Sequence, residues 1–182
     1  LHAMTTLQDV ERVFAPGGAM EAFVAARKAG KVRFLGFSAH SVDAALALIE
    51  RYDFDTILFP TNFATWHAGQ FGPQVLAAAQ AKKMGILALK AMARGPWPAG
   101  APRTHAKCWY APLAEPADAM MGLRFTLSHP VTAAIPPGDE NLFTLALDLA
   151  ARFTPLSEDE ARTIKAQALK ETPLFRHPAT TS

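Results

Sequence analysis

The sequence is poor in several things, and each absence excludes a class of protein. A single cysteine, Cys108, rules out an internal disulfide and any cluster or zinc site built from several thiolates. No apolar run reaches the roughly 18 residues of a membrane span and nothing resembles a signal peptide, so no membrane partner is expected and a cytoplasmic location is the default. Charge of one sign is missing too. The 18 basic and 16 acidic residues are scattered through both halves for a formal charge of +2, which leaves no concentrated patch for a phosphate backbone and argues against nucleic acid. No G-x-G-x-x-G follows any strand-like run, which removes support for an open dinucleotide-binding sheet.

What is present is an alternation. A hydrophobic fraction of 50% against 19% charged describes a globular α/β protein, and 182 residues suffice for one domain with a substantial core. The repeating unit is clearest at Lys31 to His40, KVRFLGFSAH. A helix-like segment closes on Gly30, six apolar or strand-favouring residues run from Val32 to Phe37, and Ser38 follows with His40 close behind. That pattern predicts a buried parallel strand delivering polar groups at its carboxyl end, where α/β folds keep their chemistry.

In chain order, Leu1 to Met4 reads as a strand already under way with no initiator methionine, so a piece of a longer domain is expected. Residues 5–15 are polar and mixed. Pro16-Gly17-Gly18 opens a helix with Met20, Phe23, Val24 and Arg27 on one side, and Gly30 caps its end. Ser41 is the predicted N-cap of a helix through Ala44, Ala45, Leu48, Ile49 and Tyr52. The strand Thr56 to Phe59 runs into Pro60 and Asn62. A loop from Ala64 to Phe71 carries Trp66, His67 and Gln70, and Gly72-Pro73 begins a helix that stops at Gly85. The next strand, Ile86 to Leu89, ends on Lys90. From Arg94 to about Pro116 the chain is rich in Pro and Gly, and so long an irregular stretch predicts a lid or binding loop. Pro116 opens a helix that ends at His129-Pro130, Val131 to Ile135 is the last strand, and Pro136-Pro137-Gly138 turns into a helix capped by Asp139. Ser157 and Glu160 have capping-box spacing for a final helix to about Glu171, and 172–182 is expected to be a disordered tail.

Strand and helix alternate at roughly one pair per 25 to 45 residues, which predicts parallel βαβ units. A complete (β/α)8 TIM barrel takes about 250 residues and this chain offers roughly five strands, so residues 1–182 are read as one partial barrel domain.

Several residues then fall into register with a known family. His2 after a strand, GFSAH at 36–40, Pro60 and Asn62 after the third strand, Gly85 to Gly95 around the fourth, and Ile135-Pro136 after the last together resemble the C-terminal part of the aldo-keto reductase family, from its fourth barrel strand onward. The most specific marker is the run Gly30 to Ser38, GKVRFLGFS. The resemblance implies an oxidoreductase that reduces aldehydes or ketones with NADP or NAD. Of the family's catalytic tyrosine, lysine, aspartate and histidine, only the histidine has a counterpart, His2, whose implied role is to hydrogen-bond the substrate carbonyl oxygen. These residues alone are therefore expected to be inactive, and the open strand edges of an incomplete barrel imply self-association.

Ser38 matches the family serine that binds the nicotinamide carboxamide. The neighbouring asparagine is replaced by Ala39 and the glutamine of the next strand by Leu58, which leaves His40 or Asn62 as substitutes. An aromatic that stacks on the nicotinamide is replaced by Leu89-Lys90, so Lys90 is assigned to a cofactor phosphate or to substrate. Pro136, Gly138 and Asp139 mark the expected pyrophosphate turn at a helix N-terminus. Asp139 stands where a basic residue is usual and disfavours a 2'-phosphate, although its plainer reading is an N-cap. Trp66, Trp97 and Trp109, with Phe71 and Tyr110, are the expected walls for a small carbonyl substrate.

Two other functions remain open from sequence. His2, His40, His67 and His105 could converge as a metal-dependent barrel hydrolase, though no H-x-H pair and no strand-end carboxylate is present. A barrel that binds nucleotide without catalysis is the other.

Overall fold

Residues 1–178 are described by a computed structural model. Contacts divide the chain into two units, Leu1–Phe59 with Pro73–Leu87, and Pro60–Gly72 with the chain from Ala88 onward.

The polar stretch 5–15 is a helix, α1 (Leu7–Phe14), where the sequence pattern gave no element. Thr6 and Asp9 explain it. The Thr6 hydroxyl accepts from the Asp9 N–H at 3.0 Å and the Asp9 carboxylate accepts from the Thr6 N–H at 3.0 Å, a capping box with Asp in place of Glu. Helix α2 (Ala19–Lys28) ends as expected at Gly30, whose φ of +70 suits glycine. Strand β1 is only Gly36–Ser38, half the predicted length. Upstream, the Leu35 N–H donates to the Asp55 carboxylate at 2.7 Å and Val32 and Phe34 are exposed, so a side chain takes the place of a ladder partner. Helix α3 (Val42–Arg51) is capped by Ser41 as predicted.

Strand β2 (Thr56–Pro60) lies parallel to β1, with Phe37 opposite Ile57 and Ser38 opposite Leu58. The expected loop after it is instead a short helix, α4 (Phe63–His67), because Asn62 caps it. Helix α5 (Pro73–Ala81) and strand β3 (Gly85–Leu89) follow as predicted. The long irregular region is closed at its base by an antiparallel pair, β4 (Ala93–Gly95) and β5 (Ala111–Pro112). Then come α6 (Pro116–Leu127), a two-residue strand β6 (Ala133–Ala134), α7 (Glu140–Ala150) and α8 (Glu158–Ala168).

The main sheet runs β1-β2-β3-β6, in which spatial order equals chain order, and Met4 adds a parallel bridge to Ala39 on the other side of β1. Parallel neighbours need a crossover, and at least one helix lies between each consecutive pair. In the first unit Phe37, Leu48, Ile57 and Phe59 are fully buried. In the second, Phe63, Met92, Leu113, Leu123, Phe125 and Ile164 form one core cluster. The expected tail is held further than predicted: Phe175 stacks on Phe71 at 5.2 Å and the His177 N–H donates to the Gly69 carbonyl at 2.8 Å. The rest of that call, 179–182, lies outside the described residues.

Candidate functional site

In the first unit the sheet end at Ser38 is organised by the start of the chain. The Ser38 N–H donates to the Leu1 carbonyl at 3.1 Å and the Met4 N–H donates to the Ser38 carbonyl at 2.8 Å. Ala3, at φ +52, turns its N–H onto the Ser38 hydroxyl oxygen at 2.7 Å. That hydroxyl also lies 3.4 Å from Nδ1 of the exposed His2. Ser38 and His2 are thus brought together, with the hydroxyl aimed by a backbone donor. Ala39 is fully buried and its N–H donates to the Leu58 carbonyl at 3.2 Å, so neither its side chain nor that N–H faces a ligand.

In the second unit a hydrogen bond from the Thr61 N–H to the Leu89 carbonyl, at 2.8 Å, sets Asn62 and Lys90 at the ends of adjacent strands. Asn62 is buried, and its Oδ1 accepts from the Thr65 N–H at 2.9 Å as the cap of α4. Its Nδ2 is a buried donor without a hydrogen-bond partner among the described residues. Such an orphan donor costs about 1–3 kcal/mol, so it marks a place where a ligand acceptor would be welcome.

Lys90 has φ +69, a region that a non-glycine residue occupies only when its surroundings hold it there. Its Nζ lies 4.9 Å from the centre of the Tyr110 ring and 5.2 Å from that of Trp109. Burial pushes the ammonium below the ordinary lysine pKa. Cys108 would offset this as a thiolate, but burial raises its own pKa and keeps it a neutral thiol. Burial also raises the Tyr110 hydroxyl well above the ordinary range. Lys90, Trp109 and Tyr110 therefore form a half-buried amine against two aromatic faces. The second aromatic was visible in the sequence as the neighbour of Trp109, but nothing local indicated which of the loop aromatics would meet Lys90.

The other two tryptophans have structural tasks. Trp97 Nε1–H donates to the Cys108 carbonyl at 2.9 Å and pins the long loop across itself. Trp66 is on α4, where it packs against Phe125 and His129, with ring centres 6.1 and 4.3 Å away. Pro136 is partly buried, and Gly138 has open space where a Cβ would sit. Asp139 accepts from the N–H groups of Asn141 and Leu142, both at 3.2 Å, and its other oxygen lies 3.5 Å from His105 Nδ1. The Leu142 N–H is the main reason its carboxyl titrates below the usual value. The N-terminus of α7 thus already holds a carboxylate of its own.

The histidines named for a metal site have other neighbours: His105 faces Asp139, and the His67 ring lies 5.5 Å from that of Phe125. No group of three His, Cys, Asp or Glu side chains placed to hold a metal occurs among the described residues. No helix among them is long and apolar enough to cross a membrane.

A parallel sheet whose strands follow chain order, with polar groups at the carboxyl ends, is the arrangement of part of a (β/α)8 barrel. Solved structures agree on that fold. An aldo-keto reductase from Bacillus halodurans in its holo form is similar over 100% of this chain and 60% of its own, with a TM-score of 0.59 at 15% identity. An aldo-keto reductase from Klebsiella pneumoniae in complex with NADPH matches 90% of this chain and 57% of its own, TM-score 0.58 at 18% identity. Aldose reductase from Giardia lamblia matches 88% and 52%, TM-score 0.57 at 15% identity. The chain spans about 60% or less of the length of each. No protein-family model matches the chain, and no curated protein does.

Proposed function

We propose that this chain is the cofactor-binding part of an NAD(P)-dependent, aldo-keto reductase-like oxidoreductase acting on small aldehydes or ketones. The carrying observation is the Ser38 hydroxyl, fixed by the Ala3 N–H at 2.7 Å beside His2 at a strand end of an aldo-keto reductase-type fold. A nicotinamide, when bound, would supply the hydride. Ser38 fits its carboxamide, since a hydroxyl held by one donor still has its own proton to give. His2 would donate to the carbonyl oxygen and favour charge developing there. Gly138, with room around it, suits the pyrophosphate, whereas the Asp139 carboxylate on α7 opposes a 2'-phosphate and makes NAD as suitable as NADP. Lys90, between Trp109 and Tyr110, is better suited to substrate than to a phosphate. The two tyrosines are Tyr52, which bonds Arg27, and Tyr110, whose hydroxyl titrates too high to give up a proton readily. Without a positioned acid an alkoxide has no ready proton, so binding without turnover is expected of these 182 residues.

Titration of the chain with NADH and with NADPH, followed by nicotinamide fluorescence, tests this. NADH is expected to bind at least as well as NADPH, Ser38→Val to weaken both, and Asp139→Arg to shift the preference toward NADPH. No response to either cofactor would sink the proposal.

A further inference from the structure

A pocket of about 390 Å³ lies in the second unit, lined from α4, the end of α6 and α8. None of its lining residues belongs to the cofactor or substrate positions assigned above. Phe125, Leu156 and Ile164 give it apolar walls, and every ionisable group in its lining is basic: His67, His129, Arg162 and Lys165. Those four are not equivalent. Arg162 is committed to Glu158 and Asp159 on its own helix. The neighbouring Arg124 on α6 is held by Glu160, and Arg176 donates to the Ala68 carbonyl at the end of α4. Lys165 pairs with no carboxylate among the described residues. The two imidazoles are half-buried, with ring centres 5.5 and 4.6 Å from that of Phe125. Burial lowers the pKa of both, and the charges of Lys165 and His129 lower that of His67 further. Three basic groups thus line one pocket with no carboxylate among them, an arrangement that a bound anion relieves.

Two of the lining groups are also set by backbone contacts. The His129 Nδ1–H donates to the Phe125 carbonyl at 2.8 Å, so the neutral ring keeps its lone pair on Nε2 and takes up a proton there. Ser128 Oγ accepts from the Leu156 N–H at 2.9 Å and still has its own proton to give. We propose that this pocket binds small carboxylates with a flat or apolar body, the charge answering Lys165 and the two imidazoles while the body covers Phe125, Leu156 and Ile164. Its volume is that of a small-molecule site. Inorganic phosphate would leave the apolar walls unused, and an uncharged ring would leave the cations unrelieved. A bound carboxylate favours the charged imidazoles, so binding takes up protons and strengthens as pH falls through the histidine range.

Benzoate is the probe, with benzamide as its uncharged counterpart and inorganic phosphate as an anion without an apolar body. Calorimetry on the 182-residue chain is expected to show benzoate binding more tightly at about pH 5.5 than at about pH 8. Histidine-ring NMR is expected to show His67 and His129 titrating at higher pH when benzoate is present, with His2 unmoved. Lys165→Met, at an exposed position, is expected to weaken benzoate about two- to fivefold and leave benzamide unchanged. Ala161→Phe, also at an exposed position, is expected to fill the pocket and remove binding while circular dichroism is retained. Benzoate binding no tighter than benzamide or phosphate, or histidine titrations indifferent to benzoate, would overturn the proposal. No nicotinamide is present in these measurements, so their failure and that of the cofactor titration are distinguishable.

Discussion

Two residues show how closely a single position is determined by its neighbours. A Cβ on Gly122 in α6 would lie 2.6 Å from Leu113 Cδ1 and 2.8 Å from the Ala91 carbonyl, and both neighbours are fully buried. Gly122→Ala is therefore expected to cost about 1–3 kcal/mol by overpacking, read as a lowered urea midpoint with unchanged slope. The same change at Gly138 meets nothing within 4 Å and is expected to leave stability unaltered. Glu160 illustrates charge. The Arg124 guanidinium beside it, at 2.6 Å, together with the Ser157 N–H, lowers its carboxyl to about 2. A depressed carboxyl stabilises the fold fully above its ordinary value of 4.5 and loses that contribution as pH falls through about 2. Carboxyl-carbon NMR is expected to find this low midpoint, and Arg124→Ala to raise it toward 4.5.

At the scale of elements, helix ends are where local chemistry acts. Thr6 with Asp9 and Ser157 with Glu160 close capping boxes on α1 and α8, while Ser41, Asn62 and Asp139 cap α3, α4 and α7 through one oxygen each. Ser157→Ala is expected to cost about 1 kcal/mol. Hydrogen exchange should localise the loss to the first turn of α8, since Ile164 and Ala168 remain buried and hold the rest of the helix. Asn62 differs from the other caps because its amide nitrogen is buried without a hydrogen-bond partner among the described residues. Asn62→Asp keeps the capping oxygen and removes that orphan donor, but it places a charge in a buried site, so a raised carboxyl pKa and a less stable protein at neutral pH are expected.

For the whole molecule, the three tryptophans at 66, 97 and 109 all belong to the second unit, so tryptophan fluorescence reports that unit while far-ultraviolet circular dichroism reports both. Strands β2 and β3 each begin in one unit and end in the other. A fluorescence midpoint distinct from that of circular dichroism would show the units unfolding separately.

The alternation of strands and helices, the caps at Ser41, Asp139 and Ser157, the stop at Gly30 and the prolines opening α5 and α6 were all legible in the sequence. Each depends on groups within about four residues of one another, which is why local reading succeeds there. Helix α1 was legible in principle, through Thr6 and Asp9, but its box uses a shorter acid than the usual pattern. What the tertiary structure alone decided depends on residues far apart in the chain. The Asp55 carboxylate truncates β1 by taking the Leu35 N–H, and Trp66 is drawn from an expected substrate wall into packing against Phe125 and His129. Ala3 aims the Ser38 hydroxyl from 35 residues away, and the long loop returns Trp109 and Tyr110 to the face of Lys90. Residue types were sufficient to nominate Ser38 and Lys90; only the folded chain could supply their neighbours, because burial, orphaned donors and ring faces are properties of contacts between distant segments.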